Sequence, residues 1–210
     1  MEREISYLKE LAEQFMNLYD ELPTKVNIHF NVSNPLSDLC MKINQDINRH
    51  ALGFINFGIR EIAIPHISIY MGYVNSFEQL EDVIESVGKY AGTHSNFQID
   101  PVRLYFKGVS RFAPQYLFLD MLQNDFLYKQ KELMFNEFAN QLSPIEWNML
   151  NETPHITLGC YKNVTGSAMK AVEKYKDFPI CIINQMGISL CGKRGVCLSN
   201  IKTFDLTGNA

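Results

Sequence analysis

Nothing in these 210 residues reads as a membrane span, a paired-cysteine framework or a basic arm. No apolar run approaches the roughly 20 residues that a helix needs to cross a bilayer, which excludes an integral helical membrane protein. The five cysteines (Cys40, Cys160, Cys181, Cys191 and Cys197) are odd in number and contain no C-x-x-C pair. That excludes a zinc ribbon, a thioredoxin-type redox motif and a closed set of disulfides. With a charged, amphipathic amino terminus instead of an apolar leader, reduced thiols in a soluble, cytoplasmic protein are expected. Glycine-rich phosphate loops of the P-loop or dinucleotide type are also missing. The formal net charge is −4, and acidic and basic residues are interspersed without a Lys/Arg run. No tight, sequence-blind grip on long duplex nucleic acid is therefore expected, whereas a small anionic ligand remains compatible.

What is present is an ordinary globular composition, 46 % apolar and 20 % charged, in a chain long enough to bury a substantial core. Ile5, Leu8, Leu11, Phe15, Leu18 and Leu22 recur at helical spacing and Pro23 stops the pattern, so residues 1–23 are expected to form a helical extension. From 24 to 210 strand and helix patterns alternate. Val26, Ile28 and Phe30 alternate as in a strand, and Asn34-Pro35 opens a helix with Leu36, Leu39, Cys40, Ile43 and Ile47 on one face. Ser76 and Gln79 suggest a capping box before another helix. Strand-like stretches come next near 97–106 and 116–121, with a helix from about 124 to 142. A helix near 167–176 precedes terminal strands in which Gly192-Lys193-Arg194-Gly195 reads as a hairpin tip. The order predicts an α/β (α+β) bilobal domain: two pseudo-symmetric lobes of antiparallel-rich sheet with outer helices around a central cleft.

Two short strings stand out within that order, Pro65-His66-Ile67-Ser68-Ile69 and Pro154-His155-Ile156-Thr157-Leu158, 89 residues apart. Side chains on a strand alternate between faces, so His66 shares a face with Ser68, and His155 with Thr157, while the aliphatic residues share the other. Each strand can bury its aliphatic side and present an imidazole beside a hydroxyl. Histidine suits general acid–base work because its ordinary pKa of about 6.5 makes both protonation states accessible near neutrality. One imidazole can take a proton from an attacking water or ribose hydroxyl while the other protonates the departing oxygen. The hydroxyls of Ser68 and Thr157 suit the non-bridging phosphate oxygens. A lone His-x-Ser/Thr would mean little. His29, His50 and His94 show the background, followed at the second position by Asn31, Leu52 and Asn96. On a regular strand Tyr70 would share the face of His66, where it could stack on a base. Neither motif contains the Asp or Glu that would complete a metal ligand set.

From about Lys25 to Leu206 the chain resembles the two-histidine (2H) phosphoesterase superfamily, the LigT-like RNA 2′,3′-cyclic phosphodiesterases and their relatives. The resemblance rests on the paired His-x-Ser/Thr-aliphatic strings. It implies His66 and His155 as the catalytic pair, Ser68 and Thr157 as phosphate-binding hydroxyls, and no metal or cofactor. The implied substrates are 2′,3′-cyclic phosphates, 2′,5′-linked or cyclic oligonucleotides, in RNA processing or in the removal of a signalling nucleotide. A non-catalytic nucleotide-binding module using the same cleft is the alternative. The first motif carries serine where threonine is commoner in the family. After the second motif stands Gly159-Cys160-Tyr161-Lys162, where the bacterial branch often has arginine.

Overall fold

The computed structural model describes residues 23–55, 57, 64–108, 114–121, 125–145, 153–192 and 196–208. The expected helix before Pro23 and the tip residues Lys193, Arg194 and Gly195 lie outside them. Among the described residues the strands are β1 (Thr24–Asn31), β2 (His66–Val74), β3 (Phe97–Ile99), β4 (Pro101–Lys107), β5 (Gln115–Met121), β6 (Ser143–Pro144), β7 (His155–Tyr161), β8 (Cys181–Ile183), β9 (Gln185–Cys191) and β10 (Cys197–Asp205). The helices are α1 (Leu36–Asn48), α2 (Phe77–Thr93), α3 (Asp125–Phe138) and α4 (Gly166–Val172).

One antiparallel sheet runs through both lobes in the order β10-β9-β1-β2-β7-β5-β4, and β3 with β8 forms a separate ribbon. The lobes meet at β2 and β7, which pair through Ile67 and Ile156. Further along β2 the short strand β6 pairs with Gly72 and Tyr73. The sheet therefore opens just beyond the motif strands, which places the two histidine segments at the seam.

Helices cover one side of the sheet. α1 buries Leu36, Cys40, Ile43 and Ile47, spaced for a single helical face, against β7 and α4. α2 packs on β9 and β10, and α3 packs on β2. Between the sheet and these helices lies the core, which includes Ile28, Phe30, Ile67, Ile69, Leu117, Leu119, Ile156, Leu158 and Ile188. Ser76 caps α2 by accepting from Gln79 N at 3.1 Å, and Gln79 Oε1 accepts from Asn75 N at 2.6 Å. The reciprocal bond of the expected capping box thus falls one residue earlier, on Asn75.

The two motif strands share an irregularity that alternation alone does not foretell. Against β1, Ser68 pairs with His29 and Tyr70 with Ile28, so Ile69 is an extra residue. Against β5, Thr157 pairs with Phe118 and Gly159 with Leu117, so Leu158 is an extra residue. Each β-bulge falls three positions after its histidine, and each reverses the facing of the residues beyond it. The Leu158 carbonyl, displaced from the ladder, accepts from Asn44 Nδ2 of α1 at 2.6 Å. Asn44 also donates to Ile55 O and accepts from Phe57 N. A buried helix asparagine thereby satisfies the bulge carbonyl together with the Ile55 carbonyl and the Phe57 amide.

Candidate active site

On the face of the sheet away from the helices, the Ile67–Ile156 register sets His66 across from Thr157 and Ser68 across from His155. The two histidines are diagonal neighbours, at a Cβ separation of roughly 7 Å. Both rings are anchored alike. Nδ1 of His66 donates to the Ile64 carbonyl at 2.7 Å, and Nδ1 of His155 donates to the Thr153 carbonyl at 2.7 Å. Each acceptor lies two residues before its histidine, across the motif proline. Holding the proton at Nδ1 leaves Nε2 of the neutral imidazole as the nitrogen with the lone pair.

The surroundings of the two rings differ. His66 is 7 % exposed. Burial pushes its pKa down to about 4 against a raising contribution from the Ile64 carbonyl, and the charge of His155 adds to the lowering. Its Nε2 lies 3.2 Å from Asn27 Nδ2 and 3.4 Å from Cys197 Sγ. Asn27 Nδ2 also donates to Ser68 Oγ at 2.9 Å. That bond occupies a lone pair of the hydroxyl and leaves the Ser68 O–H free to donate to a phosphate oxygen. His155 is half-buried and stacks on Phe118 with ring centroids 3.8 Å apart and planes 28° from parallel.

The wall behind His66 is polar and neutral. His29, fully buried on β1, approaches His66 with ring centroids 5.2 Å apart. Burial, followed by the charge of His66, holds its pKa well below the ordinary value. Asn27 Oδ1, both His29 ring nitrogens, Asn31 Oδ1 and Ser189 Oγ are buried and find no hydrogen-bond partner among the described residues. Gly187, facing His29 from β9, has no side chain because a Cβ there would lie 2.9 Å from the His29 ring.

Beyond His155 the wall is charged. Asp120 pairs directly with His155 in the ladder and binds Arg103 Nη2 through Oδ2 at 2.9 Å.

Solved structures with the same architecture are numerous. The chain superposes on TT0787 of Thermus thermophilus with a TM-score of 0.56 at 14 % identity, covering 89 % of this chain and 100 % of that one. E. coli LigT complexed with 3′-AMP gives 0.55 at 12 % identity, covering 88 % and 99 %. Kluyveromyces marxianus Usb1 gives 0.55 at 8 % identity, again covering 88 % and 99 %. The chain has the fold of the 2H phosphoesterases. No family model and no curated protein sequence matches it.

Within this LigT-like fold the seam brings together His66, Ser68, His155 and Thr157 on one face. Tyr70 is a correction. The bulge at Ile69 turns it into the core, where it is 4 % exposed and packs against Phe135 and Phe138 of α3. Tyr161 is turned inward by the second bulge in the same way, fully buried against Phe106. Gly159, the counterpart of Tyr70, leaves room for that ring, since a Cβ there would lie 2.4 Å from it. Met71 takes the cleft side instead, 3.6 Å from Cys191 Sγ. Asn27, His29 and Phe118 touch the candidate groups and carry no motif. The polar alternation Asn27-His29-Asn31 along an otherwise apolar strand is the signal that marks the first two.

Among the described residues, no cluster of three or more His, Cys, Asp or Glu side chains is placed to hold a metal ion, and no helix is long and apolar enough to cross a membrane.

Proposed function

We propose that this chain is a metal-independent phosphodiesterase of the 2H superfamily, cleaving a ribonucleotide phosphodiester whose 2′-oxygen takes part in the scissile or cyclic ester. One observation carries the reading: two imidazoles with the same Nδ1–H···O=C anchor, each beside a hydroxyl, meet across the seam of a bilobal sheet. A phosphate lying over Ile67 and Ile156 has a histidine on either side, the arrangement that in-line displacement requires.

We assign the roles from the two environments. His66, held neutral by burial down to about pH 4 and with its lone pair on Nε2, is the base that takes the proton of the attacking water or ribose hydroxyl. His155, more open to solvent, donates the proton to the leaving oxygen. Ser68 and Thr157 donate to the non-bridging oxygens, where negative charge gathers in the transition state. The expected substrates are 2′,3′-cyclic nucleotides, 2′,5′-linked oligonucleotides or cyclic oligonucleotides. With its five cysteines free, the cytoplasm is the compartment that suits the reading.

The test is a panel of 2′,3′-cyclic nucleotides, 2′,5′-oligoadenylate and cyclic dinucleotides incubated with the protein in excess EDTA. Turnover of at least one is expected, with His66→Ala and His155→Ala each lowering kcat by about 10²–10⁴. Turnover of none, or turnover abolished by EDTA, would refute it. Tight nucleotide binding without product would establish the binding-module alternative instead.

A further inference from the structure

The candidate site face continues past His155 onto β5 and β4. In the ladder His155 pairs with Asp120 and Asp120 with Arg103, while Thr157 pairs with Phe118 and Phe118 with Tyr105. One step further out, Lys107 pairs with Tyr116. Arg103, Tyr105 and Lys107 thus lie on the same side of the sheet as the two histidines, with Arg103 two strand spacings, about 10 Å, from the β7 backbone.

Their contacts hold them as a surface. Asp120, 8 % exposed, binds one guanidinium nitrogen of Arg103, whose side chain stays 65 % exposed. The guanidinium lies 4.3 Å from the centroid of the Tyr105 ring. Lys107 Nζ lies 5.4 Å from the centroid of Phe118, the ring that also supports His155. With the Arg103 end open to solvent, screening limits what this pair adds to stability, and the Asp120 contact fixes the direction of the guanidinium. Across the seam the groups of the same face nearest His66 are Asn27, His29, Ser189, Met71 and Cys197, all buried and formally neutral, and Lys25, whose charge acts on Cys191, follows farther along β1. Among the described residues the β4–β5 side of the histidines thus holds two exposed cations, Arg103 and Lys107, beside the half-buried Tyr105 ring.

We propose that the β4–β5 face binds the continuation of the substrate strand. Arg103 and Lys107 hold a backbone phosphate beyond the scissile one, and Tyr105 carries a base by stacking. The substrate class is then a short single-stranded oligoribonucleotide in preference to a mononucleotide. The inference rests on the phosphodiesterase reading for where the strand begins. Charge complementarity and direct continuity with the histidine face select this occupant, because single-strand binding joins a cationic track to aromatic platforms.

Binding is measured apart from turnover, so that failure of the catalytic reading and failure of this one are distinguishable. The probe is a fluorescein-labelled tetraribouridylate with a 3′-phosphate, followed by anisotropy, with 3′-UMP as competitor. The wild-type chain is expected to hold the tetramer at least tenfold more tightly than 3′-UMP. In Arg103→Ala/Lys107→Ala the tetramer weakens at least tenfold and 3′-UMP does not, and the slope of log Kd against log salt falls by about 0.7 for the one phosphate no longer neutralised. Tyr105→Leu/Lys107→Gln, which keeps the Arg103–Asp120 pair, is expected to weaken the tetramer alone in the same direction, and circular dichroism checks folding of both variants. Equal affinity of the wild type for tetramer and 3′-UMP, or equal weakening of both ligands in the variants, overturns the proposal.

Discussion

Replacing His66 by glutamine tests the electrostatics of the seam through stability alone. In the folded chain the imidazole stays neutral down to about pH 4, whereas in the unfolded chain it protonates near its ordinary value of 6.5. Because the folded pKa is the lower one, the unfolded state binds the proton first as pH falls. Stability from this group is fully present above about pH 6.5, declines by about 1.4 kcal/mol per pH unit between 6.5 and 4, and levels off below. Integrated to about pH 4.5, the loss is ~2.5 kcal/mol, a large part of the 5–15 kcal/mol typical of a domain. His66→Gln removes this proton uptake and leaves His29 in place, so the contribution of His29 largely cancels in the comparison. Urea unfolding of both chains at about pH 7.5 and about pH 4.5 gives four free energies. The variant is expected to gain ~2.5 kcal/mol relative to the wild type on going to the lower pH, whatever the substitution costs at neutrality. An unchanged difference between the two chains at the two pH values would refute the depressed pKa, and with it the assignment of His66 as base.

Substitutions at two further positions probe the packing that places the site. Ile67→Ala empties a fully buried position at the pair that joins the lobes and is expected to cost about 2–5 kcal/mol in urea unfolding. A cost under about 1 kcal/mol would show that the seam is not packed as described. Tyr70→Phe keeps the ring against Phe135 and Phe138 and is expected to leave nucleotide turnover within about twofold, while Tyr70→Ala is expected to cost about 3–5 kcal/mol of stability. A selective rise in KM for Tyr70→Phe with stability intact would return Tyr70 to the cleft.

Residue order alone marks the two motif strands and their faces. Two copies of Pro-His-Ile-Ser/Thr-aliphatic in matching strand–helix contexts dictate which residues share a face, because alternation is a local property of extended backbone. The order of strands and helices carries the bilobal α+β architecture, and alternation puts His66 with Ser68 and His155 with Thr157 on one face of each strand. Packing between strands settles the facing of everything past the third residue of each motif. The bulges at Ile69 and Leu158 arise only when the motif strand meets its neighbour, since an extra residue is defined by what it fails to pair with. That is why Tyr70 and Tyr161, in phase with their histidines by counting, lie in the core. The inequality of the two imidazoles is tertiary as well. Asn27, His29 and Cys197 reach His66 from β1 and β10, while Phe118 and Asp120 reach His155 from β5, and no string of residues around either motif encodes those neighbours. Facing local to a strand was legible in the order of residues; burial, charge and the direction in which the cleft opens depend on segments far apart in the chain, which only folding brings together.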